Sequence, residues 1–226
     1  MVSSTEQISS GFSVLTLYRR HSVDCAMPAT ELAALLAYAT AMAFTPGPNT
    51  TLSAAMAANH GLAHAMRFVV AVPFGWCLLL VASAAGLGTL VATVPALGGT
   101  IRIAGATYML WLAWRLAQRR PAAADGARTG LDVGFLRGVA LQFVNGKAWI
   151  NALTIAGTWI AVDGQVAQRM AWVLPIAAAY GFTSNFVYAA VGATLRRWLL
   201  QGDRLLHFNR VMAVVLAATA LWVLGS

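Results

Sequence analysis

Acidic side chains are nearly absent from this sequence. Its 226 residues hold seven Asp and Glu against fifteen Lys and Arg. None lies between Glu31 and Asp125, and none falls inside the apolar runs that follow Asp132. A permanently cationic substrate or a bare metal ion would find no buried countercharge there. Cysteine is also scarce. Cys25 and Cys77 belong to different regions, which excludes a disulfide framework and a thiolate metal cluster. His60 and His64 have no further metal-ligating company, and the apolar runs contain no nucleophile, base and orienting group in combination. The sequence therefore points away from an enzyme, a resident metal and a cofactor.

Charge of either sign is low, at 10% of residues, whereas hydrophobic residues make up 59% and mean hydropathy is +0.70. These values lie far from those of soluble domains. The apolar runs are continuous rather than alternating, so they read as membrane helices of roughly 20 residues and not as barrel strands. The +8 balance does not indicate nucleic acid, because the basic residues sit at the ends of apolar runs. The expected fold is an all-α integral membrane protein of six transmembrane helices. Spans are expected over 31–58, 67–94, 101–118, 133–161, 170–195 and 206–224, with a turn at Pro95 to Thr100. Residues 1–30 are polar and read as an N-terminal extension, with Met27 as the natural start. Residues 31–226 are expected to form the membrane domain, divided by a basic linker at 119–131 into halves 31–118 and 132–226. Each half has an odd number of spans, so the two insert in opposite orientations, as in inverted-repeat transporters.

Two interruptions stand out within the apolar runs. Thr45-Pro46-Gly47-Pro48-Asn49 breaks the first span, because two prolines in three residues remove backbone donors and clash with the preceding turn. Gln142-Phe143-Val144-Asn145-Gly146-Lys147 interrupts the fourth in weaker form. Helices 1 and 4 are thus expected to be broken, at corresponding places in the two halves. Asn49 and Asn145 are expected to cap the resumed half-helices, whose N-terminal ends carry partial positive charge. Such ends hold a substrate carboxylate without an arginine.

Lys147 is the only lysine in the chain and falls mid-span. Burying its charge costs about 3 kcal/mol on insertion scales, which argues for a site. The competing reading starts the fourth span later and lets Lys147 reach the headgroups. The candidate substrate-binding residues are Pro46, Gly47, Pro48, Asn49, Thr50, Gln142, Asn145 and Lys147. Asn185 and Thr183 read as interhelical hydrogen-bonders, Gly134 and Gly138 as a surface for close helix contact, and Tyr108, Trp111 and Trp114 as interfacial anchors.

The first break, together with Gly105-Ala106-Thr107-Tyr108-Met109-Leu110, Phe135-x-x-Gly138, Asn145-Gly146-Lys147 and Phe208-Asn209-Arg210-Val211-Met212, resembles the LysE/RhtB family over about residues 30–226. Gly146 stands where that family usually has proline. The resemblance implies a six-span exporter of amino acids and related metabolites in a bacterial inner membrane. The lack of buried acid narrows the expected substrate to small zwitterionic amino acids or derivatives, moved by alternating access. The expected partners are that small molecule and the lipid bilayer, and the small-residue faces suit a homodimer. Two other readings stay open: export of a divalent cation or other ion, and a non-transporting membrane scaffold.

Arginines set the orientation. Arg67, Arg115, Arg119, Arg120, Arg128, Arg137, Arg196, Arg197 and Arg204 gather on one side of the spans, against Arg102 and Arg169 on the other. The richer side is expected in the cytoplasm and both termini outside. In a background lacking Cys25 and Cys77, a single cysteine at position 126 should resist impermeant label applied to intact cells, and one at position 98 should react. The opposite pattern would invert the topology. A chain begun at Met27 should insert at the full-length level, as checked by membrane fractionation.

Overall fold

Where water is absent, a segment must pair its peptide groups internally, and helices do so without a neighbour. The structure, a computed structural model, is helical accordingly. It has no strand among the described residues, which are 27–118, 133–162 and 164–225. The extension before Met27 and the linker at 119–131 lie outside them.

α1 (Ala29–Phe44) and α2 (Pro48–His60) form the first broken run. After Gly61, whose φ of 87° suits glycine, α3 (Leu62–Ala82) passes through a π-helical turn at Ser83–Leu87 into α4 (Gly88–Thr93). α5 (Pro95–Ala117) precedes the linker. α6 (Phe135–Val144) and α7 (Gly146–Ile155) form the second broken run, which ends in a π-helical turn at Ala156–Ile160. α8 (Val166–Leu199) and α9 (Arg204–Gly225) complete the described chain. Three stretches, Leu62–Val91, Val166–Leu199 and Arg204–Gly225, are long and apolar enough to cross a membrane, and α1 and α6 are shorter apolar helices.

The structure corrects one expected boundary. Pro95 to Thr100 is not a turn, because Pro95 takes the first helical position of α5, where its missing N–H costs nothing. Only Val94 leaves helical geometry at that junction. Pro175 lies inside α8, which runs unbroken through it as the span over 170–195 requires.

α2 is the enclosed centre of the bundle. Every residue from Thr50 to Ala58 is buried, and the helix packs on α8, α3 and α9. Its small side chains, Ser53, Ala54, Ala55, Ala57 and Ala58, let neighbouring backbones come close. At Gly192 of α8, a Cβ would lie 2.2 Å from the Ala54 carbonyl oxygen, and at Gly105 of α5 one would lie 1.7 Å from that of Val144. Gly138 is pressed against α3, where a Cβ would come within 2.8 Å of the Ala71 Cβ, whereas Gly134 has no such neighbour. Phe68, Met109, Leu112, Leu116 and Leu216 fill one apolar core, and Leu35, Leu79, Trp149 and Ile160 a second.

Large apolar side chains such as Leu136, Val214, Trp114 and Leu221 point outward, as lipid-facing residues do. Near the end of α5, Tyr108 stacks on Trp111 and the Arg115 guanidinium lies 5.0 Å from that indole, an arrangement suited to the headgroup layer. Gly192→Val should force α2 and α8 apart and cost about 1–3 kcal/mol, the usual range for overpacking. The check is thermal unfolding of the purified protein in detergent. An unchanged midpoint would mean that the two backbones are not in contact.

Candidate functional site

Each helix break leaves amides at the resumed N-terminus and carbonyls at the interrupted C-terminus without intrahelical partners. At the first break, Pro48 occupies the first position of α2 and Gly47 precedes it as the cap, with its N–H donating to Thr50 Oγ1 at 3.0 Å. Thr51 N makes the first regular bond, to Gly47 O at 2.9 Å. The expectation that Asn49 caps α2 is therefore corrected. Proline's preference for the first helical position moves the cap back to residue 47 and leaves the Asn49 side chain for another partner.

That partner is Gln142, on the other side of the second break. The two carboxamides exchange hydrogen bonds, Asn49 Nδ2 to Gln142 Oε1 at 2.8 Å and Gln142 Nε2 to Asn49 Oδ1 at 3.2 Å. Gln142 also donates to Gly138 O at 3.0 Å and is fully buried, so it braces Asn49 from behind. Asn145 does cap α7, with Oδ1 accepting from Lys147 N at 3.1 Å.

Lys147 crosses between the breaks. Its Nζ donates to Thr45 O at 2.8 Å, placing the cation on a carbonyl at the C-terminal end of α1. The lysine stem passes over Gly47, where a Cβ would meet its Cδ at 3.1 Å. Two further freed carbonyls are already engaged: Phe44 O by the Tyr188 hydroxyl at 2.9 Å and Phe143 O by Trp149 Nε1 at 2.8 Å. By position, the first-turn amides of Asn49, Thr50, Gly146 and Ala148 have no intrahelical acceptor. Two positive helix ends and one ammonium thus converge in an apolar surround, which suits a small carboxylate.

The junction borders a cleft with about 670 Å³ of unfilled space, its open mouth included. Of the expected residues, Gly47, Pro48, Asn49, Thr50, Asn145 and Lys147 line it. Pro46 is exposed and Gln142 lies behind Asn49, so neither borders the cleft. Sequence reasoning missed Trp76, Asn151, Tyr180 and Ser184, which also line it. A helical-wheel signal was available, since Lys147 and Asn151 share one face of α7 at i, i+4, as do Tyr180 and Ser184 on α8.

Asn185 accepts from Ser53 Oγ at 3.0 Å and donates to Gly181 O at 2.8 Å, tying α8 to α2 beneath the cleft. Thr183 faces outward and takes no part. At the end where α1 and α8 begin, Glu31 and Arg169 form an ion pair. At the other end, Asn59 and Asn209 exchange side-chain hydrogen bonds at 2.8 and 3.2 Å beside the cluster of Ala58, Leu199 and Leu205. The His60 and His64 rings lie 4.8 Å apart, and no group of three His, Cys, Asp or Glu side chains gathers among the described residues.

Comparison with known proteins gives the family. Residues 40–225 match the family model described as LysE type translocator. A cysteine/O-acetylserine efflux protein of Klebsiella pneumoniae is 30% identical over 200 residues, covering 87% of this chain and all of the relative. Proteins with the same description from Escherichia coli O1:K1 and K12 are 31% and 30% identical over 194 residues, covering 86% of this chain and 97% of each relative. No solved structure matches. The chain belongs to the LysE type translocator family.

Proposed function

We propose that the protein exports small zwitterionic amino acids or close derivatives, with O-acetylserine and cysteine the first to test because its relatives are described as efflux proteins for them. Membership of a translocator family makes it a membrane transporter and not an enzyme. The observation that carries the substrate class is the junction itself, where Lys147 and two half-helix N-termini meet at a cleft with no acidic residue among its lining. A carboxylate complements that end. A substrate with a net positive charge would meet no anion.

In this reading α1 with α2, and α6 with α7, each make one broken span. Together with α3–α4, α5, α8 and α9 they give six spans, in halves 31–118 and 132–226 of opposite orientation. Both termini lie outside the inner membrane and the linker lies in the cytoplasm. Residues 1–30 precede the transport domain, and Pro46 and Gln142 support the site from outside the cleft. Packing is continuous at the Asn59–Asn209 end, on the arginine-rich side, which supports a conformation open toward the outside. Alternating access would reverse this by closing the outer mouth of the cleft and parting the packing around Asn59 and Asn209.

Cells preloaded with labelled O-acetylserine or cysteine should lose label faster when the protein is expressed, and equal loss with empty vector would overturn the proposal. At matched membrane levels, Lys147→Met should cut that efflux roughly tenfold or more, the weight of one charge-assisted hydrogen bond. Asn49→Ala should lower both efflux and thermal stability, because Gln142 then loses its partner. Wild-type efflux from Lys147→Met would remove the lysine from the site.

A further inference from the structure

An amino acid brings an ammonium as well as a carboxylate, and the ammonium needs an acceptor. The freed carbonyls of the two breaks are the obvious choice. Three of them are already taken: Thr45 O by Lys147, Phe44 O by Tyr188 and Phe143 O by Trp149. The polar side chains around the cleft are mostly committed as well. Asn49 is paired with Gln142, Asn145 caps α7, Thr50 bonds Gly47, and Asn185 bonds Ser53. Asn151 differs. It borders the cleft, and its Oδ1 is shut off from solvent with no donor among the described residues. A buried acceptor without a donor is costly, so the site favours a ligand that supplies one.

Building on the export reading above, we infer that Asn151 Oδ1 receives the substrate's ammonium group and thereby selects α-amino acids over other small carboxylates. Asn151 lies one helical turn beyond Lys147 on the same face of α7. An α-amino acid carries its two charges one carbon apart, which matches a carboxylate held at Lys147 and an ammonium held at Asn151. The terminal torsion of asparagine is soft, so the oxygen turns into the cleft at little cost. The Tyr180 hydroxyl lies 3.1 Å from Thr40 Oγ1, whose single proton goes to Leu36 O at 2.7 Å. It faces the cleft from α8, where it meets the substrate side chain.

The test is competition in proteoliposomes for transport of labelled O-acetyl-L-serine. The competitors are the unlabelled compound, its deaminated analogue 3-acetoxypropanoate, and its methyl ester. Wild-type protein should bind the deaminated analogue at least about tenfold more weakly than the amino acid, equivalent to 1.4 kcal/mol. Asn151→Leu, or the smaller Asn151→Ala if the first inserts poorly, should abolish that preference while still rejecting the methyl ester. Asn151→Asp, which keeps an acceptor, should retain the preference. Lys147→Met should show the reverse, losing the rejection of the ester. An undiminished preference for the amino acid in both Asn151→Leu and Asn151→Ala, or its loss in Asn151→Asp, would overturn the assignment and leave the export reading standing. Wild-type vesicles that move no O-acetylserine and no cysteine would overturn both.

Discussion

A peptide group that leaves a helix inside hydrocarbon has no water to turn to, and the centre of this protein is built around that constraint. Breaking α1 from α2 and α6 from α7 frees carbonyls and amides at mid-bundle. Side chains from elsewhere in the chain answer the carbonyls: Lys147, Tyr188 and Trp149 each supply a donor. The resumed amides are answered only in part, by Thr50 Oγ1 at Gly47 and by Asn145 Oδ1 at Lys147. The imbalance leaves a cleft richer in donors than in acceptors, and from it comes a site suited to carboxylate.

The same constraint explains how α2 is held. Apolar packing alone discriminates weakly between orientations of a helix among other helices in lipid, because lipid tails are as apolar as the partners. α2 instead carries three polar residues at different heights, each matched to another element: Asn49 to Gln142 of α6, Ser53 to Asn185 of α8, and Asn59 to Asn209 of α9. Its alanines and the glycine at 192 bring the backbones close enough for these short side chains to meet. Gly146 follows a similar logic from α7, since the methyls of Val223 on α9 occupy the space a Cβ would need. Glycine at this position is thus a packing feature of this chain.

Much of this was legible in the sequence, for reasons that are local. Continuous apolar runs require helices, paired prolines must break one, and a lone lysine in such a run needs a partner. Those statements depend on neighbours within a few residues, so Thr45 to Asn49 and Asn145 to Lys147 could be identified without coordinates. The Asn49 cap failed for an equally local reason, the first-position preference of Pro48, which the sequence held in plain view. The Pro95 boundary failed in the same way.

What the sequence by itself determined was therefore the membrane class, the helical character, the two breaks and the residues that would have to serve them. Only the tertiary structure decided which partner each took. Lys147 and Thr45 are separated by 102 positions and Asn49 and Gln142 by 93, and no periodicity links residues so far apart. It also decided that Pro46 stands outside the cleft and Gln142 behind it, and that Asn151, Tyr180 and Ser184 line it. Which face of a helix becomes a cavity depends on where its neighbours leave space, and that space is fixed only when glycine and alanine contacts bring the helices to their final separation.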